Sequence, residues 1–217
     1  MVAADFQGVG SVEIPSEKFT LRADLYGKLP SKRAVVLVHG SSWDALGWRD
    51  IAPHFVKRGV TALALNLRGF DGSTGKTGRY VPGKPWSPVT DVKAAIALLK
   101  ERGVSEIALV GASLGGSAVL GAAIEKDVES VATISAPVKA VPDEMSAMVR
   151  GRKLYVCAIG DTLGAAPNVL ASFKALKPPK QLLFFGGKEH SRGMFAAPYG
   201  PEVVEAIVGF VGRGLPG

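Results

Sequence analysis

The sequence predicts an α/β fold: a mainly parallel twisted sheet flanked by helices on both faces. Three observations predict it. Short apolar runs at 34–39, 61–66, 107–110, 130–135, 154–159 and 181–185 alternate with segments of helical spacing, at intervals that suit only βα repeats. Some of these runs are continuous, as in Ala34-Val-Val-Leu-Val-His39, which is the pattern of strands buried on both faces. One run, Ile107 to Val110, stops at Gly111 and turns through Gly111-x-Ser113-x-Gly115 into a small-residue apolar helix. Such a strand–turn–helix lifts one hydroxyl clear of the sheet, because glycine lets backbone pass where a β-carbon would clash.

Each element has its own justification. Val9 to Ile14 and Phe19 to Tyr26, separated by Pro15-Ser16-Glu17-Lys18, read as an antiparallel hairpin leading the sheet. After the 34–39 strand, Trp48 to Arg58 has helical spacing and ends at Gly59. Residues 67–87 are rich in Gly, Pro and Ser and have no helical period. They are expected to form a loop beside the site, carrying Arg79, Tyr80 and Trp86. Ser87-Pro88 reads as an N-cap and first helical residue, opening a helix to about Arg102 with Gly103 beyond it. Further helices are expected over Pro142 to Val149, Ala165 to Leu176 and Glu202 to Val211. At 217 residues, with no linker or internal repeat, the chain is expected to form a single domain, 1–217.

Composition narrows the classes of function. No window approaches 18 apolar residues, so no membrane span is expected. The start, Met-Val-Ala-Ala-Asp-Phe-Gln-Gly, lacks the basic and apolar regions of a secretory signal, and a cytoplasmic location is expected. The lone cysteine, Cys157, lies in an apolar run and reads as a buried small hydrophobe. The net charge of +7 is spread along the chain without a basic stripe, which argues against nucleic acid and suggests a mild preference for anionic substrates. Gly69-Phe-Asp-Gly-Ser-Thr-Gly-Lys-Thr77 nearly spells a phosphate-binding loop, but its first glycine is one position early. Gly78, Pro82, Gly83 and Pro85 also forbid the helix that should follow.

In open α/β sheets, ligands bind beyond the carboxyl ends of the strands, so the residues just after each strand are the candidates. Ser113 follows one strand, Asp161 another, and His190 ends the Gly186-Gly-Lys-Glu-His190 segment after a third. A serine hydroxyl needs an imidazole to take its proton and a carboxylate to orient that imidazole. Of the 3 histidines, only His190 lies after Ser113. His54 falls in a predicted helix, and His39 is better placed to shape the loop that follows it. Asp161 alone among the intervening carboxylates follows directly on a strand, although it could instead cap the next helix.

The order Ser…Asp…His, with the Gly-x-Ser-x-Gly turn, resembles the α/β-hydrolase family over nearly the whole chain. Val36-Leu-Val-His-Gly40 is similar to the family's oxyanion-loop strand. The resemblance therefore implies that the backbone N–H groups of Ser41 and Leu114 form an oxyanion hole, with Ser42 in the same loop at the substrate. Asn66-Leu-Arg-Gly-Phe-Asp-Gly-Ser73 resembles the family's Asp-x-Arg-Gly-x-Gly-x-Ser segment, with Asn66 for the Asp and Asp71 for a Gly. The short interval from Ser135 to Asp161 leaves no room for a large cap domain, which resembles the lidless, dienelactone-hydrolase-like end of the family. Met145 and Met148 would then line a shallow acyl pocket, or fill the core.

The expected function is a serine carboxylesterase on small or short-chain acyl esters, with Ser113 as nucleophile, His190 as base and Asp161 as orienting acid. Neither cofactor nor metal is expected, the partner is a small-molecule ester, and the sequence leaves the oligomeric state open. The competing readings are an idle hydrolase scaffold used for binding, or the same three residues turned to perhydrolysis, thioester or lactone hydrolysis.

Overall fold

The computed structural model describes residues 9–137, 141 and 143–212, with the side chains of 143–145 left out. Eight strands form one sheet: β1 (Val9–Ser16), β2 (Phe19–Tyr26), β3 (Arg33–Val38), β4 (Thr61–Leu65), β5 (Glu106–Ala112), β6 (Val128–Ile134), β7 (Arg152–Ala158) and β8 (Lys180–Phe185). Their spatial order is β1-β2-β4-β3-β5-β6-β7-β8. β2 is antiparallel to both its neighbours, and every other pairing is parallel. The helices are α1 (Ala52–Val56), α2 (Ser87–Glu101), α3 (Leu114–Ala122), α4 (Ala165–Ala175), α5 (Gly193–Ala196) and α6 (Gly200–Gly212), with 3-10 turns at Ala45–Trp48 and Asp143–Met148.

The continuous apolar runs exist because both faces of the sheet are covered. Side chains alternate across a strand, so Val36 and Val38 of β3 join a core with Val92, Leu99 and Val119 from α2 and α3. Val35 and Leu37 point the other way, into a core with Trp48, Phe55, Ile207 and Val211. Each such buried Val or Leu contributes about 1.5–3 kcal/mol relative to exposure.

Two expectations about helices are corrected. The helix expected over Trp48 to Arg58 is a 3-10 turn followed by the short α1, which starts next to Pro53. Proline has no N–H to donate and its ring crowds the preceding turn, so the helix can begin there but not run through it. Ser87 does not cap α2. Trp86 occupies the boundary, and the Ser87 hydroxyl oxygen instead accepts the N–H of Gly78 at 2.7 Å.

The 67–87 segment is tied down by hydrogen bonds. Thr74 N–H donates to Thr20 C=O at 2.9 Å, and the Trp86 indole N–H donates to Gly78 C=O at 2.8 Å. No helix begins at Lys76-Thr77, and the Thr77 hydroxyl donates to Arg68 C=O, so the near-match to a phosphate-binding loop does not take that shape. Asn66, where the family has Asp, accepts the N–H of Ala45 at 2.7 Å and so holds the start of the 3-10 turn.

A buried ion pair joins three elements at this end of the sheet. Arg68 Nε and Nη2 donate to Asp91 Oδ1 at 2.8 and 2.6 Å, the Arg68 N–H donates to Oδ2, and the Ser16 hydroxyl donates to Oδ1. Asp91 is fully buried and Arg68 nearly so. Removing one partner leaves an uncompensated buried charge. Asp91→Ala is therefore expected to lower stability by about 3–5 kcal/mol, whereas Glu17→Ala, which removes only the exposed partner of Arg68, should cost less than about 1 kcal/mol. Urea unfolding monitored by circular dichroism checks both.

Candidate active site

The turn between β5 and α3 presents Ser113 at φ +53° and ψ −121°. Two close approaches hold it there. A β-carbon on Gly111 would collide with the Gly115 carbonyl, and one on Gly115 would collide with the carbonyl oxygen of Val38. Ser113 N–H donates to Ile134 C=O at 2.8 Å, which ties the turn to the end of β6. A left-handed serine costs of order 1–3 kcal/mol, and such strain persists only where its surroundings fix it.

Ser113 Oγ lies 2.8 Å from His190 Nε2. His190 Nδ1 lies 2.9 Å from both carboxylate oxygens of Asp161. An ionised carboxylate only accepts, so Nδ1 carries the ring proton and Nε2 is left to accept the serine hydroxyl. The Asp161 side chain is fully enclosed, and its Oδ1 also accepts the N–H of Leu163 at 3.0 Å and of Ala165, the first residue of α4, at 3.4 Å. Gly164, not Asp161, is the N-cap of α4, and the Asp161 carboxylate reaches both the first N–H of that helix and the His190 ring.

The Cys157 thiol sits 3.8 Å from Asp161 Oδ2. Burial first, then the Asp161 charge, pushes its pKa up to about 11. It remains a neutral thiol that donates weakly to the carboxylate.

An open cleft of about 440 Å³ lies in front of Ser113 and His190, lined also by Ser41, Ser42, Trp43, Leu163 and Arg192. The backbone N–H groups of Ser41, just after β3, and Leu114, at the start of α3, have no hydrogen-bond partner among the described residues. Met148 is 48% exposed and does not line this cleft, and the Met145 side chain lies outside the described residues. Leu163, 71% exposed, supplies the apolar wall instead. A second groove of about 470 Å³ between α1 and α6 shares Arg192 and Ala196 with the cleft but holds no nucleophile, and the exposed His54 lies along it.

His39 stays out of the proton chain. Its Nδ1 faces Gly40 C=O at 2.8 Å, and its Nε2 accepts the Leu67 N–H at 3.2 Å. It joins the loops after β3 and β4, with Phe70 packed edge-on against the ring. Among the described residues, no three His, Cys, Asp or Glu side chains gather as metal ligands, and no helix is long and apolar enough to cross a membrane.

Sequence reasoning missed Trp43, Leu163, Ser191 and Arg192 around the cleft, and Ser135 beneath it. Trp43, Leu163 and Ser135 obey the rule that found the others, since each follows a strand end within a few residues. Ser191 and Arg192 directly follow His190.

Residues 35–214 match the model of the alpha/beta hydrolase family. A comparison with curated proteins gives no match. Among solved structures, an esterase of Pyrococcus furiosus superposes with a TM-score of 0.79 at 19% identity, covering 95% of this chain and 92% of that one. A dienelactone hydrolase of Anabaena variabilis gives 0.72 at 18% identity, covering 95% of each chain. A predicted CIB-like hydrolase of Thermoplasma acidophilum gives 0.77 at 18% identity, covering 95% and 99%. At such identities the likeness concerns the fold.

Burial holds His39 below the usual 6.5 of a histidine. Below pH 6.5 the unfolded chain therefore binds more protons than the folded one, so stability rises with pH and is lost as pH falls through that value. The melting temperature between pH 7.5 and 5 should consequently fall more steeply for the wild type than for His39→Gln, which keeps an acceptor for Leu67 but does not titrate. Parallel slopes would refute a neutral buried His39.

Proposed function

Because this chain belongs to the alpha/beta hydrolase family, we propose that it is a serine carboxylesterase acting on small or short-chain acyl esters. The observation that carries this reading is the unbroken hydrogen-bonded chain from Ser113 Oγ through the His190 ring to Asp161.

Ser113 Oγ attacks the ester carbonyl carbon while His190 Nε2 takes the hydroxyl proton. The charge that develops on the carbonyl oxygen is met by the N–H groups of Ser41 and Leu114, which carry no other hydrogen bond among the described residues. Donors fixed in advance at a developing oxyanion are the largest single contribution in many such reactions. The tetrahedral intermediate collapses as His190 returns the proton to the departing alcohol oxygen, leaving the acyl group on Ser113. Water then attacks the acyl carbon as His190 takes its proton. The second intermediate collapses by breaking the bond to Ser113 Oγ, which takes that proton back from His190 as the carboxylic acid leaves. Asp161 stays ionised throughout, fixing the tautomer and balancing the imidazolium. No cofactor enters any step.

The open cleft, with Leu163 exposed at its wall, supports small substrates rather than long buried acyl chains. Arg192 supports a bias in charge. It is the one lysine or arginine lining the cleft among the described residues, it makes no ion pair with a described carboxylate, and its guanidinium lies 5.8 Å from the centre of the Trp43 ring.

A fluorophosphonate probe should label the wild type at Ser113 and leave Ser113→Ala unlabelled. On p-nitrophenyl acetate, Ser113→Ala should lose at least about a thousandfold in kcat, and Asp161→Asn about ten-thousandfold through the wrong imidazole tautomer. Labelling that survives Ser113→Ala would sink the assignment. Arg192→Ala should lower kcat/KM for a hemisuccinate ester by about tenfold, as expected for one charged contact of ~1.4 kcal/mol. Its kcat/KM on the neutral acetate should stay unchanged, and equal losses on the two esters would remove Arg192 from substrate selection.

A further inference from the structure

We propose that Ser135 is a positioning residue that holds His190 at hydrogen-bonding distance from Ser113. The inference rests on the esterase reading above and adds a residue to it.

Ser135 is the first residue after β6. It is fully buried and adopts φ +50°, a left-handed conformation that costs a serine energy. Its N–H donates to Val156 C=O at 2.9 Å, so the residue stays anchored to the sheet while its side chain turns away from the regular strand direction. The side-chain oxygen accepts the N–H of Ser191 at 3.1 Å, and Ser191 is the residue directly after His190. The hydroxyl hydrogen is free to point at the Met194 sulfur, 3.6 Å away, with the Cys157 sulfur at 4.0 Å. One hydroxyl thus grips the histidine segment at its backbone and at the start of α5.

Ser191 is the second strained residue of this contact, at φ +55° and almost wholly buried. Its own hydroxyl has no partner among the described residues, so the backbone N–H, and not the side chain, is what the site uses. Two adjoining left-handed serines joined by a hydrogen bond are a costly arrangement to keep for packing alone.

The position of Ser135 in the sheet gives the cost a purpose. Ile134, its neighbour, accepts the N–H of Ser113. The dipeptide Ile134-Ser135 therefore holds the backbone of the serine on one side and the backbone next to the histidine on the other. The two groups that exchange a proton, 2.8 Å apart, are referenced to one rigid strand end rather than to two independent loops. Proton transfer within a held pair falls steeply with misplacement, and a shift of about 1 Å can cost on the order of a hundredfold in rate.

The test uses Ser135→Ala, which removes the acceptor and keeps the packing, and Ser135→Gly, which removes the acceptor and relaxes the left-handed backbone. Two quantities are read on the full chain: kcat and KM for p-nitrophenyl acetate, and the downfield imidazole Nδ1 proton of His190 by NMR. Both variants are expected to lose about 10- to 100-fold in kcat with KM within about threefold, and to show that proton broadened or lost at a temperature where they remain folded. Wild-type kcat together with an unchanged proton signal in both variants would overturn the proposal. So would recovery of kcat in Ser135→Gly alone, since that would make backbone strain, not the hydrogen bond, the quantity that matters. If the wild type hydrolyses no ester but the imidazole proton still responds to both substitutions, the esterase reading fails and this one stands.

Discussion

The left-handed turn at Ser113 is the constraint on which the rest of the site depends. It is possible only because α3 starts almost on top of β5 and against the end of β3, where Gly111 and Gly115 leave room for backbone oxygens. That packing fixes three things together. It aims Ser113 Oγ outward, it leaves the Leu114 N–H without a partner among the described residues at the start of a helix, and it brings the loop after β3, with Ser41, alongside. A β-carbon at either glycine would push helix and strand apart, and all three placements would be lost together.

Around that turn the structure handles buried charge by enclosing it in donors. An ionised carboxylate taken from water needs a hydrogen bond for most of its lone pairs. Asp161 finds them in His190 Nδ1, the N–H groups of Leu163 and Ala165, and the thiol of Cys157. Asp91 finds them in Arg68 and Ser16. The two sites differ in outcome because of who the partners are. Arg68 never gives up its proton, so Asp91 builds a fixed brace between β1, α2 and the loop after β4. An imidazole can take or release one, so in the proposed reaction the same kind of enclosure would serve proton transfer.

Two further buried side chains near the cleft, His39 and Cys157, are quiet by the same reasoning. His39 is locked in one tautomer between Gly40 C=O and the Leu67 N–H, and burial disfavours its charged form. Cys157 is held as a thiol by burial and by the charge of Asp161. In the proposed reaction neither would compete with Ser113 as nucleophile or with His190 for the proton. The cleft itself remains open, because between β6 and β7 the described backbone forms a single 3-10 turn, with Met148 facing solvent.

The pattern of residues along the chain already lays out the sheet and the cluster at its rim. Continuous apolar runs read as strands covered on both sides, since a residue pattern without alternation leaves no face for water. Ser113, Asp161 and His190 were legible because strand ends in a parallel sheet all open to one edge, so position along the chain already implies proximity in space. Local chemistry was less legible where a tertiary partner outbid it. Ser87 looked like a helix cap, but its hydroxyl went to Gly78, and Pro53 broke a helical period that looked whole. Met148 carried the composition of a pocket wall and was turned outward, while Leu163 took that place. The strand-end rule points to Ser135 as a rim residue, but its hydrogen bond to Ser191, 56 positions away in sequence, is visible in the folded molecule alone. Its strained backbone depends on neighbours that pattern and propensity do not record. What is set by periodicity can be read from the chain, but what is set by the orientation of one hydroxyl against a distant amide needs the folded molecule.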